Sequence, residues 1–326
     1  MNSRNRSLGF GISIGLAGLL LLPFAVGSYA QHVLVVSLYY VVLASSWNLL
    51  AGYTGLFSLA HHAFAALGGY TSGMLAVHAG VPVPLGILAG VILAGAAGYG
   101  LGALTLRMRA IYLALATWAF AESLRLIIAA EYKFTRGDLG LRVPHLFGTS
   151  NPRVHYYIFL ALALLTVVAI RALLHSKIGY RLRAIRDDEE AAATTGINTV
   201  RWKKFAFAVT SAMAGMAGAF YGHYIGLLSP VSIKFTEMAT IIIMVIVGGL
   251  RTISGPIVGA VFVEVLSEVL RLSGEVRMVL FALLVIVLMR LYPGGLMAFV
   301  RSVARRLRRY TALREVPASW QEKEIS

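Results

Sequence analysis

Residues 33–60 read VLVVSLYYVVLASSWNLLAGYTGLFSLA and contain no Asp, Glu, Lys or Arg, and the same holds for the longer run from Ser7 to Leu106. A soluble domain carries roughly 25% charged residues, whereas this chain of 326 residues has 13%. Hydrophobic residues make up 58%, and the mean hydropathy is +0.77. This composition excludes a soluble globular fold. The sequence predicts an all-α, polytopic integral membrane helical bundle.

The apolar segments are long enough to cross a bilayer, since a helix needs about 20 apolar residues for that. Ten candidates fall at residues 8–27, 33–53, 56–79, 85–106, 110–130, 155–174, 204–228, 236–250, 254–272 and 276–292. Segment 236–250 is short, and Gly248 and Gly249 interrupt its end, so it could form a re-entrant pair with the next segment. We therefore expect 8–10 transmembrane helices, with both termini on one side of the membrane.

The basic residues predict the orientation. Placing both termini in the cytoplasm (N-in/C-in) puts most of the 29 Lys and Arg residues inside, as the positive-inside rule requires. This distribution accounts for the net charge of +15 without nucleic acid. The expected organisation is one transmembrane domain over residues 1–300, with a cytoplasmic loop at 175–204 and an external loop at 131–155. A basic cytoplasmic tail at 301–326 follows.

Two further features narrow the class of protein. Ser28-Tyr29-Ala30 is similar to a signal-peptidase site, but the preceding apolar run of roughly 20 residues exceeds the usual signal-peptide core of about 7–15. An uncleaved first helix is therefore favoured. The chain has no Cys, which excludes disulfides, thiolate metal sites and thiol nucleophiles.

The cytoplasmic loop 175–204 reads HSKIGYRLRAIRDDEEAAATTGINTVRWKK. It predicts a short helix with Asp187 as N-cap, Glu190 completing a capping box and Gly196 supplying the left-handed stop. Three alanines, the best helix formers, lie between Glu190 and Thr194. Their small side chains should let another protein approach closely, so a bulky residue at Ala192 should hold the two surfaces apart. The alternative is a surface helix that only connects two spans.

A resemblance to a known family starts from this helix. Glu190-Ala191-Ala192-x-x-x-Gly196 resembles the E-A-A-x-x-x-G loop of ABC importer permeases, which docks on a cytoplasmic ATPase. Further stretches, in order along residues 40–297, resemble the LivM-type permease of branched-chain amino-acid ABC importers. They include NLLAGYTG at 48–55, SLAH at 58–61, RMRAIYLA at 107–114, GYR at 179–181, AIRDDE at 184–189, GIN at 196–198, AGMAG at 214–218, GPIVGA at 255–260 and PGGL at 293–296.

This resemblance implies a non-catalytic permease subunit of an ATP-driven importer in the bacterial inner membrane, which needs no cofactor of its own and moves a small solute by alternating access. Branched-chain or other neutral amino acids are the implied solute class, with urea, amides and aromatic acids left open. The implied partners are two cytoplasmic ABC ATPase subunits, a second, LivH-type permease subunit in a heterodimer and a periplasmic substrate-binding protein. The basic residues of loop 131–155, namely Lys133, Arg136, Arg142 and Arg153, make it a candidate dock for the binding protein, and ordinary solvated loop charge is the alternative. The chain has no G-x-x-x-x-G-K-[ST] loop, so ATP would be bound on the ATPases. The residues implied in ATPase coupling are Asp187, Glu189, Glu190, Ala191, Ala192 and Gly196.

Four residues depart from the family pattern. His62 stands where a small residue is usual, and Ala60 stands where Gly is common. Arg251 replaces a usual Gly after Leu250, and Arg136 interrupts a turn of the Thr-Gly-Gly type. The departures leave the solute open, because His62 and Arg251 could lie near the pathway.

Small and polar residues at bilayer depth are the candidates for the translocation pathway, since they permit exposed backbone beside a water-filled cavity. They are Asn48, Gly52, Gly55, Ser58, His61, Gly248, Gly249 and Gly255. Close helix packing through small residues is the alternative. We expect no metal at His61-His62, because adjacent residues on a helix point about 100° apart. A hydrogen-bonding His at a helix contact is favoured instead.

Ionisable residues also occur within the predicted spans. Glu122 and Arg125, and likewise Glu264, Glu268 and Arg271, are three or four residues apart, which predicts ion pairs along one helix face. The alternative function is a proton- or ion-coupled secondary transporter in which Glu122 or Glu264 carries the proton.

Overall fold

A computed structural model of the chain describes residues 18–105, 108, 110–148, 151–271, 279, 282–283, 285–287, 290 and 294–299. These residues form helices with almost no strand, which confirms the all-α class. The predicted tail 301–326 lies outside the described residues, as do the first half of the span 8–27 and much of the span 276–292.

The helices follow the apolar segments of the sequence. They are α1 (Ser28–Asn48), α2 (His61–His78), α3 (Val83–Thr105), α4 (Ala110–Ala130), α5 (Tyr132–Thr135), α6 (Pro152–His175), α7 (Lys177–Asp187), α8 (Glu189–Thr194), α9 (Thr199–Ile225), α10 (Phe235–Gly248) and α11 (Gly255–Val269). Residues 18–25 are also helical.

Five helical segments among the described residues are long and apolar enough to cross a membrane. They are Ser28–Tyr53, Val83–Thr105, Ile111–Ala130, Pro152–His175 and Thr199–Ile225. Helix α10 is apolar but shorter, with 14 residues. The molecule is thus a multi-pass membrane protein, while the count of 8–10 spans and the N-in/C-in orientation stay predictions.

Two interruptions break the membrane helices. After α1 the chain makes one π turn, Leu49–Tyr53, and helix α2 begins only at His61, so the interruption is longer than the predicted spans 33–53 and 56–79 indicated. We name residues 49–60 the first break. Residues 249–254 form the second break, between α10 and α11. Helices α10 and α11 pack antiparallel, since a methyl group at Gly248 would overlap Gly255 and one at Gly259 would overlap Met244.

Helices α2, α3 and α9 pack on one another through glycines. A methyl group at Gly68 would overlap the backbone of Gly215, and one at Gly218 would overlap the carbonyl of Ala65. At Gly90 the added carbon would lie 2.5 Å from the carbonyl oxygen of Gly68. Such close approach is how helices gain contact in lipid, where the hydrophobic effect does not drive their association. We call α2, α3 and α9 the glycine-packed unit.

The loop 131–155 folds against the end of α9. Strand β1 (Leu141–Arg142) pairs antiparallel with β2 (Leu227–Leu228), with Leu141 opposite Leu228. Arg136 has a φ of 60°, a left-handed conformation that favours Gly and accounts for the glycine usual in that turn. The basic side chains of the loop are exposed, namely Lys133, Arg136, Arg142 and Arg153.

Candidate functional site

The loop 175–204 forms two helices, α7 and α8, where the sequence predicted one. The N-cap of α8 is Asp188, whose Oδ1 accepts a hydrogen bond from the backbone N–H of Ala191 at 3.0 Å. The predicted cap, Asp187, is instead the last residue of α7, so that prediction was wrong by one residue. The predicted capping box is wrong too, because position N3 after Asp188 is Ala191 and not Glu190. Burial of Leu182 and Ile185 keeps the chain helical up to Asp187.

The two faces of α8 differ in exposure. Glu189, Glu190 and Ala191 are exposed, whereas Ala192 is 4% exposed and faces the protein. A bulky side chain at Ala192 would therefore disturb the packing of α8 on the protein itself, which the sequence did not predict, while its effect on a partner surface stays a prediction. Gly196 has a φ of 85°, which confirms the predicted left-handed stop, and an added methyl group there would meet no atom within 4 Å.

Helix α8 is attached to the start of α9 by an ion pair. The ammonium group of Lys203 contacts the carboxylate of Glu189, and the Lys203 side chain is 9% exposed. Asn198 caps α9, accepting a hydrogen bond from the backbone N–H of Arg201 at 2.9 Å. The loop and the long helix that follows it are thus joined directly.

Arg186 connects the same loop to the first break. Its Nη1 donates to the carbonyl oxygen of Gly52 at 3.3 Å, and its Nη2 lies 2.5 Å from Oδ1 of Asp187. Gly55 has a φ of 77°, and a methyl group there would lie 3.1 Å from Cγ of Arg186. The sequence analysis named Gly52 and Gly55 but missed Arg186, although Arg186 lies within the AIRDDE stretch that carried the resemblance.

Asn48 ties the two breaks together. Its side chain is buried, its Oδ1 accepts from the backbone N–H of Arg251 at 3.0 Å, and its Nδ2 donates to the carbonyl oxygen of Thr252 at 2.9 Å. Arg251 has a φ of 66°, a left-handed conformation that favours Gly. Like Arg136, it therefore occupies a position whose backbone conformation explains why Gly is usual there in the family. Asn48 is far from residues 251–252 in the sequence, so no local sequence pattern could have predicted their contact.

The remaining pathway candidates are in close packing contacts. Gly248, Gly249 and Gly255 are buried, and a methyl group at Gly255 would overlap the carbonyl of Gly249. The carbonyl oxygen of Ser58 accepts from Nε1 of Trp47 at 2.8 Å. These contacts are those of the helix-packing alternative, and a role in the pathway stays a prediction for these residues.

The two adjacent histidines have different surroundings. Nε2 of His62 lies 2.9 Å from the carbonyl oxygen of Ile233, which confirms a hydrogen-bonding His at a helix contact. His61 is fully buried, and neither of its ring nitrogens has a hydrogen-bond partner in the part of the chain that the structure describes. Within those same residues no group of three or more His, Asp or Glu could hold a metal ion.

Both predicted ion pairs form, the first within α4 and the second between α11 and the turn that follows it. Nη2 of Arg125 lies 2.5 Å from Oε1 of Glu122 on α4. Nη1 of Arg271 lies 3.3 Å from Oε1 of Glu268 and 3.0 Å from the hydroxyl of Tyr29. Glu264 lies one turn earlier on α11, close enough to interact electrostatically with Tyr221.

Comparison with known proteins gives one family and several relatives. A family model described as "Branched-chain amino acid transport system / permease component" matches residues 29–289. The chain is 29% identical to the high-affinity branched-chain amino acid transport system permease protein LivM of Escherichia coli K12, over 86% of this chain and 72% of that protein. It is 25% identical to the permease protein LivH of the same kind of system in Salmonella typhimurium, over 79% and 91% of the two chains. It is also 25% identical to the fructose import permease protein FrcC of Rhizobium meliloti, over 82% and 76%. No solved structure matches.

Proposed function

This chain belongs to the family of branched-chain amino acid transport permeases, and from that premise we propose that it is the LivM-type subunit of an ATP-driven importer of neutral amino acids. The family match and the five membrane-length helices support a permease in the bacterial inner membrane. A second, LivH-type permease, two ATPases and a periplasmic binding protein would complete the importer. The exposed basic residues of loop 131–155 would dock the binding protein.

The hydrogen bond from Arg186 to Gly52 in the first break is the observation that best supports coupling of this permease to ATPases. The exposed face of α8 offers a small docking surface for an ATPase, with Glu189, Glu190 and Ala191 on it. A displacement of this surface reaches Gly52 through Arg186 and then the second break through Asn48. In this way closure of the ATPases would switch the permease between outward-open and inward-open states.

The ion-pair geometry does not favour the alternative of a proton-coupled carrier. Arg125 lies next to Glu122 on the same turn of α4 and compensates its charge. Such pairing lowers the cost of placing a carboxylate in a membrane helix. Glu122 is therefore accounted for without proton transfer.

Substitutions on the two faces of α8 test the docking step. We expect Ala191→Trp to insert at normal levels and to lose co-purification with the ATPases, because the exposed face can no longer be approached closely. Ala192→Trp should in addition lower the thermal stability, since overpacking a buried site costs about 1–3 kcal/mol. Val77→Trp, at an exposed position outside the loop, is the control and should leave co-purification unchanged.

Arg186→Gln separates docking from transmission. The variant keeps the surface of α8 and weakens the contact with Gly52, so the ATPases should still co-purify while ATP-driven uptake into proteoliposomes falls severalfold. Full ATP-driven uptake in both Ala191→Trp and Arg186→Gln would contradict a coupling role for this loop.

A further inference from the structure

A cavity of about 260 Å³ lies among α1, α2, α9 and α10. It is lined by Tyr39, Tyr40, Leu43, His62, Tyr221, Val231, Ser232, Glu237 and Ile241. An adjoining compartment of about 110 Å³ shares Tyr39, His62, Tyr221 and Ser232 with it. Tyr221 and the loop end of α9 at Thr199 are separated by roughly 33 Å along the helix. The cavity is therefore at the end of α9 remote from α8, and the exposed residues Val231 and Ser232 form its rim.

The polar groups at this cavity include two strong hydrogen-bond acceptors. Glu237 is half-buried, and its Oε2 accepts from the hydroxyl of Tyr40 at 2.8 Å. A carbonyl oxygen can only accept, so Nε2 of His62 donates to Ile233, and in the neutral ring Nδ1 is then an acceptor. This Nδ1 is buried and has no hydrogen-bond partner in the described part of the chain, and His62 is 3% exposed. An acceptor in this state lacks a donor.

The walls of the cavity are aromatic and aliphatic. The rings of Tyr39 and Tyr221 are stacked, with centroids 4.2 Å apart, and Tyr40 lies 5.2 Å from Tyr39. Aromatic faces attract cations, and Leu43 and Ile241 provide apolar surface. None of the lining residues in the described chain is Lys or Arg. The site therefore combines one carboxylate with aromatic rings and lacks a cation.

We propose that this cavity binds the transported solute by its protonated amine, with Glu237 as the counter-ion and Nδ1 of His62 as a second acceptor. The aliphatic body of the solute packs on Leu43 and Ile241. The volume is close to the lower end of the range of about 300–1,000 Å³ for small-molecule sites. A carboxylic acid without an amine should not bind, because it would bring a net negative charge next to Glu237, whereas an amino acid brings its own ammonium group as the compensating cation. This inference rests on the proposed function, since it identifies the cavity as a binding site on the pathway of the transported solute.

Three probes with the same aliphatic body separate the two ends of the solute. They are L-leucine, 3-methylbutylamine, which keeps only the amine, and 4-methylpentanoate, which keeps only the carboxylate. Binding to the full-length chain in lipid nanodiscs is followed by saturation-transfer difference NMR. L-leucine and 3-methylbutylamine should bind and compete with each other, and 4-methylpentanoate should do neither. Equal binding of the amine and the acid would overturn the proposal.

Variants locate the binding within the cavity. Glu237→Gln keeps the size of the side chain and removes its charge, and should weaken binding of L-leucine by roughly tenfold or more. Glu268→Gln, which changes a carboxylate outside the cavity, is the control and should have no effect. If Glu237→Gln does not yield folded protein, His62→Phe removes the second acceptor and should weaken binding severalfold. Unchanged L-leucine binding in the folded variants would overturn the proposal.

Co-purification with the ATPases distinguishes this inference from the proposed function. Glu237→Gln should keep the ATPases bound, because the residue is remote from α8. A wild-type chain that fails to bind any ATPase would contradict the proposed function, whatever the probes do. Retained ATPases combined with solute binding that ignores Glu237 would overturn the cavity proposal alone.

Discussion

The two breaks expose backbone at similar points of membrane helices, yet they are stabilised differently. Backbone groups at bilayer depth must find partners within the protein. In the first break the side chains that pair with the backbone lie on α4 and α7, since Oγ1 of Thr117 accepts from the N–H of Leu59 at 2.8 Å and Arg186 donates to the carbonyl oxygen of Gly52 at 3.3 Å. In the second break Asn48 of α1 pairs with Arg251 and Thr252, and the break also supplies its own side chain, because Oγ1 of Thr252 donates to Gly249 at 2.8 Å and accepts from the N–H of Gly255 at 3.0 Å.

The two breaks also differ in the residues that adopt a left-handed conformation. The first break uses Gly55, which adopts positive φ without steric cost, and the absence of a side chain makes room for Arg186. The second break has a glycine with positive φ too, Gly249, but it also uses Arg251, and a non-glycine residue in this conformation costs roughly 1–2 kcal/mol. The comparison indicates that the first break is shaped by its contact with the loop 175–204, whereas the second carries local strain at Arg251 and is held to α1 by Asn48.

Removing the link between the breaks should have the largest effect. Asn48→Leu leaves the N–H of Arg251 and the carbonyl of Thr252, which are partly buried, without this partner. A fully buried unpaired group costs about 1–3 kcal/mol, so we expect the free energy of unfolding, measured by SDS titration in mixed micelles, to fall by about 2–3 kcal/mol. Ser45→Ala on the same helix is the control, because the Ser45 hydroxyl is buried and without a partner in the described structure. Equal stability of the two variants would show that Asn48 does not join the breaks.

A methyl group in the first break should have an intermediate effect. Gly55→Ala places a side chain at positive φ and 3.1 Å from Cγ of Arg186, so we expect a loss of about 1–2 kcal/mol together with weaker coupling of ATP hydrolysis to uptake. Gly100→Ala, at a helical position with no atom within 4 Å of the added methyl group, is the matched control and should be neutral or slightly stabilising. A Gly55→Ala variant as stable and as well coupled as this control would contradict the role assigned to Gly55.

The smallest change in the free energy of unfolding is expected for a substitution in the second break, and this change should be a gain in stability. Arg251→Gly relieves the left-handed strain but adds backbone freedom to the unfolded chain, so we expect a net gain of about 0.5–1 kcal/mol. Leu250→Gly, at a neighbouring position without positive φ, should instead lose stability. If Arg251→Gly is no more stable than the wild type in the same SDS titration, the second break is not strained.

Features that depend on local periodicity could be predicted from the sequence. The segments 110–130 and 155–174 agree with α4 and α6 to within a few residues, since long apolar runs determine helix positions. The N-cap at Asp188 and the burial of Ala192 could not be predicted, because they depend on how α7 packs its face with Leu182 and Ile185 on the rest of the protein.

The cavity was missed for the same physical reason. Tyr40, His62 and Glu237 are brought together from three helices, and no spacing in the sequence records that contact. One signal was available: Glu237 is the single charged residue in the otherwise apolar segment 236–250, and a lone carboxylate at membrane depth indicates function. The aromatic rings around Glu237 come from other helices, so only the three-dimensional structure shows that they surround this carboxylate.

The continuous α9 acts as a lever arm between the two ends of the molecule. Its 27 residues extend about 40 Å, so a tilt of about 5° displaces the far end by roughly 3–4 Å, comparable to the width of one aromatic ring. Because glycine contacts leave no gap between α9, α2 and α3, a rotation of α9 would move α2 and α3 with it, together with His62 and Tyr221. Tyr40 and Glu237 belong to α1 and α10, outside the glycine-packed unit. Under the proposed coupling, a small rotation at the α8 end of α9 would change the distance between Nδ1 of His62 and the carboxylate of Glu237, and a solute held by both would be released from one.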